Sequence, residues 1–153
     1  MKRKLVFATI LVILLILSYF YFFIISPVFV SKPKLEKPVF KGKVEEKHVE
    51  WVVNELGAYK LRANSEIEVI VDGEEFTVSI VENKPVVKKG KAKDPDVRIY
   101  ANTQAFKRIF ESEDFKTELL KLYEEGLVRI EVLKPPEELI LKGYKAIYDE
   151  LQK

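Results

Sequence analysis

The chain alternates between two hydrophobic periods, and the switches between them mark its elements. From Val44, the residues Val49, Val52, Val53 and Leu56 recur at helical spacing. Gly57 is placed to end that helix. The period then shortens. Ile67, Val69 and Val71 alternate with polar residues, as do Phe76, Val78 and Ile80. Asp72-Gly73 between the two runs predicts a tight hairpin. Val86 and Val87 predict a short strand end before a Lys/Gly-rich loop, KKGKAK. Asp94-Pro95-Asp96 predicts a turn, and Val97, Ile99 and Ala101 a strand. A helix follows, capped by Asn102 or Thr103, with Phe106, Ile109 and Phe110 on its apolar face. A second begins near Ser112 and buries Phe115, Leu119, Leu122 and Tyr123. Val128, Ile130 and Val132 predict a last strand. Pro135-Pro136 ends it and opens a final helix with the stripe Ile140, Tyr144, Ile147 and Leu151.

Strands grouped early and helices clustered later predict an α+β fold, with one mainly antiparallel sheet covered by helices on one face. Ahead of it, Leu5 to Ile25 carries no charge. As a helix this run is roughly 32 Å long, the thickness of a bilayer core. It is too long and too aromatic at its end for a cleaved leader, so a single uncleaved transmembrane anchor is expected, broken at Ser26-Pro27. The expected organisation is a basic tail and anchor over 1–30, a Pro/Lys-rich linker over 31–43, and a soluble α+β domain over 44–153. The linker is expected either to be solvated or to touch anionic headgroups. Lys2, Arg3 and Lys4 favour a cytoplasmic N-terminus, and Lys32, Lys34, Lys37, Lys41 and Lys43 oppose it. The short tail tips the expectation toward an extracytoplasmic domain at the cell membrane, with the cytoplasmic orientation left open.

Composition changes this picture in two ways. The net charge of +2 comes from the N-terminal segment, and from Val44 onward acids outnumber bases. Nucleic acid is therefore not an expected partner, because its binding rests on phosphate neutralisation. The 153-residue chain has no Cys, which removes thiolate metal sites, disulfides and a Cys nucleophile. Many Lys and Glu residues and no Cys give it a thermophile-like composition.

Candidate chemistry is sparse. His48, the sole histidine, has no nucleophile signature around it and is expected to be a surface or partly packed residue. Glu45 and His48 share a helix face, but two residues make no metal site. Glu45/Glu46, Glu74/Glu75, Glu124/Glu125 and Glu137/Glu138 read as solvated turns and helix ends. KKGKAK lacks a phosphate-loop pattern. No cofactor, metal or catalytic residue is expected. Phe76, Phe106, Phe110, Phe115, Tyr123, Tyr144 and Tyr148, with Val52, Leu56, Val78, Ile80, Ile99 and Leu119, either line an apolar cavity or fill it.

The order IEVIVDGEEFTVSI, then DPDVRIYANTQAFKRIF, then GLVRIEV resembles the sterol carrier protein 2 family over about residues 67–132. A hairpin, an acidic turn, a strand, two helices and a Gly-led strand follow in the family's order. The chain departs from it at LKPPEELILKGYKAIYDEL, where the family continues its late strand through a Gly-containing segment. The resemblance implies binding of a lipid-like or other apolar ligand, with no catalytic residues to carry over. The expected function is a membrane-anchored, non-catalytic ligand-binding domain. The alternative is a membrane-tethered module with a filled core that engages a membrane protein partner.

Overall fold

The computed structural model describes residues 2–25 and 30–153, with side chains for 6–21 and from Val30 onward. An N-terminal helix α1 (Lys2–Ile25) is followed by an extended strap and then by α2 (Glu46–Glu55) and a short 3-10 turn (Ala58–Lys60). Next come β1 (Glu66–Val71), β2 (Glu74–Val81), β3 (Lys84–Lys89) and β4 (Val97–Ala101). The chain closes with α3 (Thr103–Glu111), α4 (Phe115–Glu124), β5 (Arg129–Val132), α5 (Pro136–Lys142) and α6 (Tyr144–Leu151).

The α+β class stands, and the expected transmembrane helix is corrected. Among the described residues, no helix is long and apolar enough to cross a membrane. The described side chains of α1, residues 6–21, are exposed. Lys2, Arg3 and Lys4 lie within the helix, not ahead of it. The membrane anchor and the bilayer partner expected on that basis lose their support. The break expected at Ser26-Pro27 lies outside the described residues.

The five strands form one mixed sheet in the order β3-β2-β1-β4-β5. β1–β2, β2–β3 and β4–β5 are antiparallel, and β1–β4 is parallel. Both hairpin turns use positive φ at two successive residues, the geometry that matches strand twist. Asp72-Gly73 does so at 50° and 84°. Glu82-Asn83 does so at 50° and 59°, and turns the expected short strand end into the full strand β3. After β3 the chain crosses the sheet to reach β4. Ala92 lies on that crossing, and its N–H donates to Glu68 Oε1.

Register gives the sheet two unlike faces. Phe76, Val69, Ile99 and Ile130 form one row across the strands, and Val78, Ile67, Val97 and Val132 another. These rows face α2, α3 and α4, whose Val49, Val53, Phe106, Ile109 and Leu122 complete the core. The opposite face carries the row Thr77, Glu68, Arg98 and Glu131. There Glu68 is fully buried, its carboxylate held by Arg98 Nε at 2.5 Å and by the crossing loop.

The strap over residues 30–43 packs on the domain. Leu35 and Phe40 lie against the core. Asn54 Nδ2 donates to the Pro33 carbonyl at 3.1 Å, and Lys32 pairs with Glu55 at 2.6 Å. Pro33 and Pro38 fix the extended backbone, so little entropy opposes its docking. The final helix expected from the pattern is two. Gly143, at φ 95°, ends α5 and begins α6, because its left-handed backbone cannot continue a helix.

Candidate ligand groove

The apolar rows of the sheet extend past the helices that cover them. Over β1 and β2 the cover is complete: Ile67, Val69 and Val71 are 6%, 3% and 3% exposed, and Phe76, Val78 and Ile80 are 0%, 1% and 4% exposed. Over β5 it is not. Ile130 and Val132 belong to the same rows, yet are 44% and 59% exposed. The gap is bridged by α5 and α6, and a groove of about 370 Å³ runs beneath them. Val97, Ile99, Ile130 and Val132 form its floor. Pro136, Leu139, Ile140, Tyr144, Ile147, Tyr148 and Leu151 form one wall, and Val53, Leu56, Ala58 and Ile67 the inner end. Lys145 is the sole charged residue of the lining. The volume falls in the range of small-molecule pockets.

Behind the inner end lies a second space of about 50 Å³. Val53, Leu56, Ile99, Ile130 and Leu151 border both. Val52, Phe106 and Leu119 close the inner space.

The helical wall is fastened to the sheet by one carboxylate. Asp96, fully buried before β4, accepts from Lys142 Nζ at 2.6 Å, from the Tyr144 hydroxyl at 2.9 Å and from the Glu66 N–H at 2.9 Å. Burial, reinforced by the Asp96 carboxylate, raises the Tyr144 hydroxyl well above the usual tyrosine range. Burial pulls the Lys142 ammonium down, but its hydrogen bonds to Asp96 and Glu138 outweigh this and leave it raised.

The residues singled out in the sequence separate into distinct sets. Leu56, Ile99, Tyr144 and Tyr148 line the groove, and Val52, Phe106 and Leu119 the inner space. Phe76, Val78 and Ile80 lie in the filled core under α2. Phe110 and Phe115 belong to an aromatic cluster around Trp51, at ring distances of 5.2 and 5.7 Å. Tyr123 is 54% exposed and borders neither space. Val53, Val97, Ile130, Val132, Leu139 and Ile147 line the groove without having been singled out for it. The signal was present for all but Leu139: the other five belong to apolar faces already legible in the pattern.

His48 is only 2% exposed, not at the surface. Its Nδ1 accepts from the Glu45 N–H at 3.0 Å, and Nε2 lies 3.0 Å from the Val39 carbonyl. A backbone N–H only donates and a carbonyl only accepts, so the ring is the neutral Nε2–H tautomer. Nε2 thereby holds α2 to the strap, and Nδ1 completes the capping box at the start of α2. Two other hollows, of about 400 and 410 Å³, share Val30 and Asn83 and have polar borders that include Lys60, Asn64 and Lys84.

No family profile and no curated protein matches the chain. Solved structures do. The chain is similar to a UbiJ-SCP2 ubiquinone synthesis protein, at 15% identity over 67% of this chain and 91% of that one, with a TM-score of 0.42. It is similar to sterol carrier protein 2 from Yarrowia lipolytica, apo form, at 15% identity over 64% and 94%, with a TM-score of 0.40. It is also similar to sterol carrier protein 2 like 2 from Aedes aegypti, at 16% identity over 67% and 93%, with a TM-score of 0.39. These likenesses concern the fold in outline, and what the groove holds follows from its own residues. The fold is similar to that of sterol carrier protein 2, at low sequence identity.

Proposed function

We propose that the domain binds a lipid-like or other apolar ligand in the groove beneath α5 and α6, without converting it chemically. The observation that carries this reading is the groove itself: about 370 Å³ of space whose lining holds one charged side chain, Lys145. Water in such a space has few polar partners, so an apolar occupant is favoured over solvent. Removing apolar surface from water contributes about 25 cal/mol per Å², which supplies affinity without directional contacts. The inner space shares Leu56 and Ile99 with the groove, so it adjoins the end of a bound ligand.

The test is binding of N-phenyl-1-naphthylamine, a fluorescent apolar probe, together with native mass spectrometry of the purified chain. Probe fluorescence is expected to rise on binding and to fall when lipid extract competes. Leu139→Trp, which fills the groove from its wall, is expected to abolish binding while the circular dichroism spectrum stays native. Equal probe binding by the Leu139→Trp chain, or no binding by the unaltered chain, overturns the reading.

A further inference from the structure

β5 is the last strand of the sheet, and all four of its residues are exposed. Its outward backbone groups follow from the register. The Leu133 N–H donates inward to the Asp96 carbonyl. Strand alternation then turns the N–H and C=O of Glu131 and Arg129 inward, and those of Ile130 and Val132 outward. A row of unpaired backbone groups at a sheet edge is a template for another strand.

The side chains say which strand fits. On the polar face one row runs Glu68, Arg98, Glu131, with alternating sign. Arg98 lies 2.5 Å from Glu68 and 3.3 Å from Glu131. The row ends at the sheet edge on Glu131, whose side chain is 46% exposed. Two residue pairs along, on the same face, Arg129 stacks on the Tyr100 ring at 4.3 Å and has no ion pair among the described residues. The edge thus presents an anion and a cation that has no ion pair among the described residues, two positions apart and flanking Ile130.

We propose that two copies of this chain associate edge to edge through β5, antiparallel about a two-fold axis at Ile130. This register sets Arg129 of each copy opposite Glu131 of the other. It continues the alternating row as Glu68, Arg98, Glu131, then Arg129 of the second copy. On the other face the row Phe76, Val69, Ile99, Ile130 meets its own reverse at Ile130. Val132 falls opposite Val128. The outward N–H of Ile130 donates to the C=O of its counterpart and its C=O accepts from the counterpart's N–H, as an antiparallel hydrogen-bonded pair requires. Shifting the register by one residue removes the opposite-charge pairs and sets apolar against polar faces. Pro135 and Pro136 follow two residues after β5 and limit the pairing to this short segment. The contact is isologous and therefore closed, consuming the edge instead of propagating it.

The absence of native cysteine makes the test register-specific. In the proposed pairing the two Ile130 Cα atoms are about 5.5 Å apart, within the disulfide range of roughly 4.4–6.8 Å. The two Val132 Cα atoms are about 14 Å apart. The full chain, with nonionic detergent covering the exposed side chains of α1, is oxidised mildly as Ile130→Cys and separately as Val132→Cys. A disulfide-linked dimer is expected severalfold faster for Ile130→Cys. Sedimentation of cysteine-free chains is expected to show weaker association for Arg129→Glu, restored when Glu131→Lys is added. Equal cross-linking at both positions, a monomer at every concentration tested, or no restoration by the charge exchange overturns the proposal.

Discussion

The Tyr144 hydroxyl donates to Asp96 Oδ2 at 2.9 Å, and this bond joins the start of α6 to the start of β4 across the inner side of the groove. Lys142 takes the other carboxylate oxygen, so one buried group fixes both helices of the wall. Asp96→Ala leaves the ammonium of buried Lys142 with Glu138, at 3.2 Å, as its remaining ion-pair partner among the described residues. A loss of about 3–5 kcal/mol in urea unfolding is expected, the cost of removing one partner of a buried pair. Tyr144→Phe keeps the ring in the groove and is expected to cost about 1.5–3 kcal/mol, with apolar probe binding retained.

The same cluster sets an alkaline limit. The folded state raises the Tyr144 hydroxyl above its ordinary value of 10.0, and the Lys142 ammonium above 10.5. Both groups hold protons more tightly folded than unfolded. Their contribution is therefore complete below about pH 10 and is lost as pH rises through the folded values. The urea midpoint of the native chain is expected to fall more steeply between pH 9.5 and 11 than that of Tyr144→Phe. Parallel curves would assign the alkaline loss to other groups.

Gly143 sets the angle between α5 and α6. At φ 95° a side chain meets its own backbone, so Gly143→Ala is expected to cost about 1–2 kcal/mol. Because Leu139 and Ile140 lie before the glycine and Tyr144, Ile147 and Tyr148 after it, the groove wall shifts with it. Probe affinity is expected to fall as well, measured by fluorescence titration under conditions where the variant remains folded.

Phe76 separates core from groove. It is fully buried, and it borders neither the groove nor the inner space. Phe76→Ala is expected to destabilise by about 3–5 kcal/mol through the cavity it leaves. Probe affinity, measured well below the melting temperature, is expected to stay within about twofold, a difference below roughly 0.4 kcal/mol.

Much of the architecture was legible because it rests on local rules. Asp72-Gly73 specified its hairpin, and Asn102 caps α3 by accepting from the Ala105 N–H at 2.7 Å. Glu82-Asn83 was not read as a turn, since neither residue is a glycine and only the pairing of β2 with β3 holds both in the left-handed region. The split at Gly143 was missed because the stripe Ile140, Tyr144, Ile147, Leu151 continues in register across it. For the groove, periodicity showed which faces are apolar but not where cover stops. Ile80 and Val132 have the same place in the pattern, and only the distribution of helices over the sheet makes one core and the other lining. The strap carried no periodic signal at all. Its attachment depends on single contacts such as that of Asn54 with Pro33.

The parallel pairing of β1 with β4 has a kinetic consequence. β1, β2 and β3 form through two adjacent hairpins, whereas Ile67 meets Val97 only when a loop of about thirty residues closes. Floor and outer wall of the groove come from β4, β5, α5 and α6, all on the far side of that closure. Those elements are expected to settle last and to open first, while the meander is still intact. Amide exchange in β5 and α6 then runs ahead of exchange in β1 and β2. An occupant of the groove acts on the same step: by binding only the closed arrangement, it ties the completion of folding to its own concentration.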